Sequence, residues 1–154
     1  MWPRLKKQIA VEREMLRTLF SDHGPLIDKC GVSAPDRIEI SALAAMLHGF
    51  YNGIENIFKR IAIELDEGLP EGPAWHKELL SMMSRPVSSR PAVISEDLSE
   101  KLREYLEFRH FFRSAYTFQI LWERMAHLVL GCQEVFNQLE SELDKFIETV
   151  EAGK

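Results

Sequence analysis

Residues 36–67 carry the pattern that leaves this chain least freedom. Leu43, Leu47, Phe50, Ile54, Ile57, Phe58 and Ile61 recur there at spacings of three and four, which gathers side chains on one face of a helix rather than of a strand. Pro35 and Asp36 stand at the start, where a missing backbone N–H and an acid near the helix dipole are both tolerated or favoured. Gly68 and Gly72 close the segment. A helix this long with one apolar side must be buried against neighbours, and the neighbours also read as helices. The first covers residues 4–20, with Ile9, Leu16, Leu19 and Phe20 on one side, and resumes after Gly24 and Pro25 as PLIDK. Pro73 opens a short third helix, PAWHKELLSMM. Ser95, followed by Glu96 and Asp97, is a good N-cap for a fourth. The last spans about residues 121–150 and carries Leu128, Cys132, Val135, Leu139, Leu143, Phe146 and Ile147. RPVSSRPAV at residues 85–93 is a connector and not a domain boundary, and no proline follows Pro91. The expectation is a single domain over residues 1–154, an all-α bundle of about five helices.

Several classes of function are disfavoured. No apolar run approaches the roughly 18 residues of a membrane span, and residues 1–16 alternate Lys, Arg and Glu with apolar residues, unlike a secretory signal. A cytoplasmic protein is expected. Cys30 and Cys132 stand far apart with no further ligand at metal spacing, so both read as small buried hydrophobes, with no metal and no cofactor implied. The formal charge of −5 argues against coating nucleic acid by bulk attraction, although a local basic site is compatible with it. Glu134, Glu140, Glu142, Asp144, Glu148 and Glu151 concentrate acid near the C-terminus, whereas Arg103, Arg109, Arg113 and Arg124 surround the stretch FRHFFRSAY at residues 108–116.

That stretch mixes core and chemistry. On an ideal helix continued over residues 108–125, Phe108, Phe111, Ala115, Phe118, Trp122 and Met125 share an apolar side. Arg109, Arg113 and Tyr116 share the other at i, i+4 and i+7, flanked by His110 and Thr117, with Ser114 further round. Two arginines one turn apart repel unless an anion or acid lies between them, and the guanidinium fork suits phosphate. One reading is therefore a phosphate-binding face; the other is a solvated face whose arginines pair with acids of neighbouring helices.

The residues Arg109, Ser114 and Tyr116 resemble the R-x4-H-x-Y signature of the HepT-type HEPN ribonucleases, toxins of toxin–antitoxin pairs. The blocks LHGFYNGIENIFKRIA, AWHKELL, RPAVISEDLSEKL and FRHFFRSAYTFQILWERM are similar to family blocks in family order, and together cover about nine-tenths of the chain. The resemblance implies a helical bundle that dimerises around a shared cleft and cleaves RNA without metal, the ribose 2′-hydroxyl attacking the adjacent phosphate. It makes Arg109 the group that holds the scissile phosphate and stabilises its developing charge, with position 114 as proton carrier; Arg113 and His110, beside them on the polar face, are the candidate RNA contacts. It also implies a nucleotidyltransferase antitoxin as partner, with Tyr116 as the side chain adenylylated.

The departure is Ser114, where the family has histidine. A hydroxyl does not relay protons near neutral pH as imidazole does, and losing such a group costs about 10² to 10⁴ in rate. Either this member has lost the residue or it is a deliberate inactivating substitution in a toxic protein; the intact Arg109 and Tyr116 favour the second. His110 lies on a different bearing and is not expected to take over. His48, Tyr51, Asn52 and Glu55 form a polar strip on the second helix, to be read as exposed surface or as lining of the cleft, in which case Glu55 orients Arg109. Trp75 and His76 are expected to anchor the third helix by packing, and His23 and His127 are incidental. Met46, Met82, Met83 and Met125 read as core filler. Three functions stay open: an RNA endonuclease toxin weakened by Ser114, a catalytically silent HEPN module bound or modified by a nucleotidyltransferase, and a structural helical dimer.

Overall fold

The computed structural model of the protein describes residues 2–153 and contains five α-helices. They are α1 (Trp2–Cys30), α2 (Arg37–Leu65), α3 (Trp75–Met83), α4 (Glu96–Ser114) and α5 (Trp122–Ala152), with a 3₁₀ turn at Thr117–Gln119 between the last two. The all-α bundle of about five helices expected from periodicity is what forms.

Helix α2 is the central element, packed against each of the other four. It starts where its chemistry directs: the Asp36 carboxylate accepts from the Glu39 backbone N–H at 2.8 Å, and Glu39 accepts in return from the Asp36 N–H at 3.0 Å, a reciprocal cap that satisfies two otherwise orphaned donors. Its apolar stripe is wholly buried. Phe50 meets Phe20 of α1 edge-on at 5.2 Å and Tyr105 of α4 at 5.2 Å, while Phe20 stacks on Phe136 of α5 at 5.0 Å. One aromatic cluster thus joins α1, α2, α4 and α5. Cys30 and Cys132 are buried free thiols.

Two expectations about helix ends are corrected. Helix α1 does not stop at Phe20; it passes through Gly24 and Pro25 to Cys30. An interior proline costs roughly 3 kcal/mol, but Leu26 and Ile27 pack on the core and Cys30 is buried, so tertiary contact outweighs it. Helix α4, by contrast, ends at Ser114 although no Gly or Pro marks the place. Ala115 and Tyr116 are extended, and the freed backbone finds other partners. The Tyr116 N–H donates to Gln119 Oε1 at 2.8 Å, and Arg37 Nη1, from the first turn of α2, lies 3.3 to 3.5 Å from the carbonyls of Thr117, Phe118 and Ile120. Carbonyls released from a helix need such partners.

The expected apolar stripe over residues 108–125 breaks up as a result. Met125 is fully buried, but Phe111 is 44% and Phe118 65% exposed. The connector at residues 84–95 is more structured than its composition suggests. Arg90 is buried within it, its Nε and Nη2 donating to the Asp66 carboxylate at 2.7 and 2.8 Å. The C-terminal acids also have uses inside the fold: Glu140 and Asp144 of α5 pair with Arg13 of α1, and Glu142 accepts from the Ser95 N–H at 2.6 Å. Among the described residues, no helix is long and apolar enough to cross a membrane.

Candidate active site

The polar strip of α2 does not face solvent. Tyr51 and Glu55 are buried and Asn52 half-buried, and what they meet is Arg109, itself only 4% exposed. Glu55 lies one turn after Tyr51 on the side of α2 that packs against α3 and α4, so a carboxylate is forced into the seam and must be neutralised there. Arg109 does this with a two-pronged pairing, Nη1 to Oε1 at 3.0 Å and Nη2 to Oε2 at 3.0 Å. Its Nη1 also donates to Asn52 Oδ1 at 2.8 Å, and the guanidinium carbon sits 4.9 Å above the Tyr51 ring. Burial raises the pKa of the Glu55 carboxyl, but hydrogen bonding from Arg109 and then from His76 outweighs it and leaves the group below its ordinary range. Burial, with a smaller contribution from Glu55, pushes the Tyr51 phenol up.

An imidazole stands on each side of this pair. On α2, Asn52 Nδ2 contacts His48 Nδ1 at 3.2 Å. Because Asn52 gives its oxygen to Arg109, the amide nitrogen must be the donor, which makes His48 Nδ1 an acceptor. Burial lowers the His48 pKa, and the charges of Arg109 and Arg113 lower it further. Its ring lies 5.3 Å from Phe112. On α3, His76 Nδ1 is 2.8 Å from Glu55 Oε2 and 3.0 Å from Arg109 Nη2. One nitrogen cannot donate to the first and accept from the second. An ionised carboxylate only accepts, so Nδ1 carries the proton toward Glu55 and the approach of Arg109 is a close contact between neighbours.

Beside this cluster, between α3 and α4, opens a pocket of about 360 Å³ lined by Pro73, Ala74, His76, Lys77, Leu106, Glu107, Arg109, His110 and Arg113. With Arg109 paired to Glu55, Lys77 and Arg113 against Glu107 still leave the pocket a positive surplus, in a chain whose overall charge is −5. A smaller hollow of about 230 Å³ between α4 and α5 holds Glu104, Glu107 and Arg124 among apolar groups and lacks this charge.

The structure therefore divides the residues singled out in the sequence. Arg109, Glu55, Asn52 and His48 form one connected network, and Arg113 and His110 share the adjoining pocket with Arg109. The exposed arginine face expected from helical spacing is not present: Arg109 is buried while Arg113 is exposed. Tyr116 does not continue that face, because α4 has already ended, and it stands 70% exposed with its ring stacked on Phe118 at 5.5 Å. Ser114 is exposed at the helix end, its hydroxyl donating weakly to the Phe111 carbonyl at 3.4 Å. The residue sequence reasoning missed is His76. Trp75 does stack on it at 3.7 Å, as packing would require, but its nitrogen serves Glu55. A carboxylate on a helix that packs on both sides was the available signal, since it demands partners beyond one arginine.

No curated protein and no solved structure matches the chain. Residues 42–150 match the family model described as HepT-like protein, a span holding every residue of the network and the pocket beside it, and the chain belongs to the HepT-like family.

Proposed function

We propose that this protein is the toxin component of a HEPN/nucleotidyltransferase toxin–antitoxin pair, an RNA endonuclease acting at a site completed by a second copy of the chain. Membership of the HepT-like family carries the toxin class and ribonuclease activity as its general expectation. The single observation that supports the chemistry is the Glu55–Arg109 pair fixed at the wall of a cationic pocket. A guanidinium locked by a carboxylate is a preorganised positive charge, the kind that stabilises charge developing on a phosphate oxygen without reorganising at the moment of reaction. Arg113, Lys77 and His110 are the exposed cationic or protonatable groups that meet the RNA backbone first. The 2′-hydroxyl attacks the adjacent phosphorus, the 5′-oxygen leaves, and a cyclic phosphate end results. Ser114 lacks a proton carrier's chemistry, so this chain is a weakened catalyst.

A second reading rests on Tyr116. Its exposure leaves the phenol open to a modifying enzyme, as in a HEPN module that a nucleotidyltransferase adenylylates whether or not RNA is cut.

Incubating single-stranded RNA with the wild type, Ser114→His and Arg109→Ala in the presence of a chelator separates these readings. The nuclease reading expects cyclic-phosphate ends from Ser114→His, faster than wild type by about 10² or more, and none from Arg109→Ala. Intact RNA with Ser114→His ends it. An adenylyl mass on Tyr116 after incubation with the cognate nucleotidyltransferase and ATP, lost in Tyr116→Phe, would then favour the second.

A further inference from the structure

His76 is the imidazole that the sequence assigned to packing and the structure places against Glu55 and Arg109 as well. Three imidazoles lie near Arg109, and they differ in what they can do. His48 is half-buried on the far side of Asn52, accepts at Nδ1 and does not line the pocket. His110 lines the pocket, is exposed, and has no carboxylate on its ring. His76 lines the pocket, and its Nδ1–H is directed at Glu55 at 2.8 Å. In the neutral ring that tautomer makes Nε2 the nitrogen with the lone pair. A buried carboxylate on one imidazole nitrogen fixes the tautomer and orientation of the other, the arrangement that makes histidine an effective proton acceptor. The same Glu55 oxygen, Oε2, is shared with Arg109, so the base and the positive charge are set by one carboxylate at the wall of one pocket.

We propose that His76, held through Nδ1 by Glu55, is the catalytic residue that accepts the 2′-hydroxyl proton in this chain, in place of the imidazole missing at position 114. The proposal rests on the nuclease reading above. In the step, the proton of the 2′-hydroxyl passes to His76 Nε2 as the O2′–P bond forms. The P–O5′ bond breaks, and the departing O5′ takes a proton from water. The imidazolium then returns its proton to the hydroxide left behind. Products are a 2′,3′-cyclic phosphate and a 5′-hydroxyl, and neither oxidant nor metal enters the balance.

The test compares the full chain as wild type, His76→Gln, Ser114→His and the double variant His76→Gln/Ser114→His on single-stranded RNA, with rates followed from pH 5 to pH 8. Circular dichroism melts show which variants are folded. The wild type is expected to cleave slowly. His76→Gln is expected to lose about 10² in rate, and to lose little in the Ser114→His background, where a second imidazole is present. Added imidazole is expected to restore part of the rate of a fifth variant, His76→Ala, whose truncated side chain leaves room for it. An equal loss from His76→Gln in both backgrounds, without imidazole rescue, makes His76 a positioning residue and overturns the proposal. A silent wild type beside an active Ser114→His also overturns it while the nuclease reading stands. Intact RNA from all folded variants ends the nuclease reading, and the role of His76 with it.

Discussion

Glu55 answers to two groups, Arg109 and His76, and removing its charge should be felt through both. Glu55→Gln keeps the shape but leaves the Arg109 guanidinium buried without a counter-charge, a change that costs about 3 to 5 kcal/mol when a buried pair is broken. The pH dependence follows from the direction of the shift. The folded-state pKa of Glu55 is lowered by Arg109 and His76 against the opposing effect of burial, so its contribution is fully present above the unfolded value of about 4.3. That contribution fades as pH falls through the lower folded value. Urea unfolding should accordingly show a wild-type advantage over Glu55→Gln that is large at pH 7 and shrinks below pH 4. An advantage equally large in acid would place the stabilisation elsewhere. At this scale the sequence showed Arg109, Asn52 and Glu55 as candidates from residue type and spacing. It did not show that Arg109 is buried or that His76 joins it, because both depend on how α3 lies across α2 and α4.

Helix α2 reveals how closely the elements must approach to build that seam. A Cβ added at Gly53 would stand 2.6 Å from Leu16 Cδ2 and 3.0 Å from its Cγ, while one at Gly49, one turn earlier, would make ordinary contact with Leu19 at 3.7 Å. The same substitution should therefore have opposite signs. Gly49→Ala is expected to stabilise by up to about 1 kcal/mol through helix propensity alone. Gly53→Ala has the same gain, but it presses on a side chain already 2% exposed, and overpacking of that kind costs about 1 to 3 kcal/mol. Thermal denaturation of the two variants checks this, and a Gly53→Ala protein more stable than wild type would mean that α1 yields easily. The starts of α2 and α4 were legible, since Asp36 with Glu39 and Ser95 are local caps. The ends of α1 and α4 were not. Leu26, Ile27 and Cys30 pack on the core past Pro25, and Arg37 reaches the carbonyls of Thr117, Phe118 and Ile120 that follow α4; in both cases the partner comes from a segment distant in sequence.

Across the whole molecule the end of α4 has a second consequence, because it turns aromatic side chains outward. Phe111, Tyr116, Phe118 and Leu121 are 44%, 70%, 65% and 39% exposed around the 3₁₀ turn, next to Ser114. The proposed second copy of the chain is expected to seat on this face. Sedimentation should then give about twice the 17.8 kDa chain mass for the wild type and a shift toward monomer for Phe118→Ser. A variant that stays dimeric would move the interface elsewhere.

Hydrophobic period, local caps and turn residues, all written within a few positions of one another, were enough to specify a bundle of helices and the order of its elements. The family blocks along the chain added a ribonuclease toxin as the expected class. Contacts between segments far apart in the chain decided the rest: the burial of Arg109 against Glu55, the approach of His76 to both, the break that frees Tyr116, and the pocket between α3 and α4. Neutralising a buried charge and satisfying a freed carbonyl are requirements that local sequence can raise, but only the packed helices determine which side chain meets them.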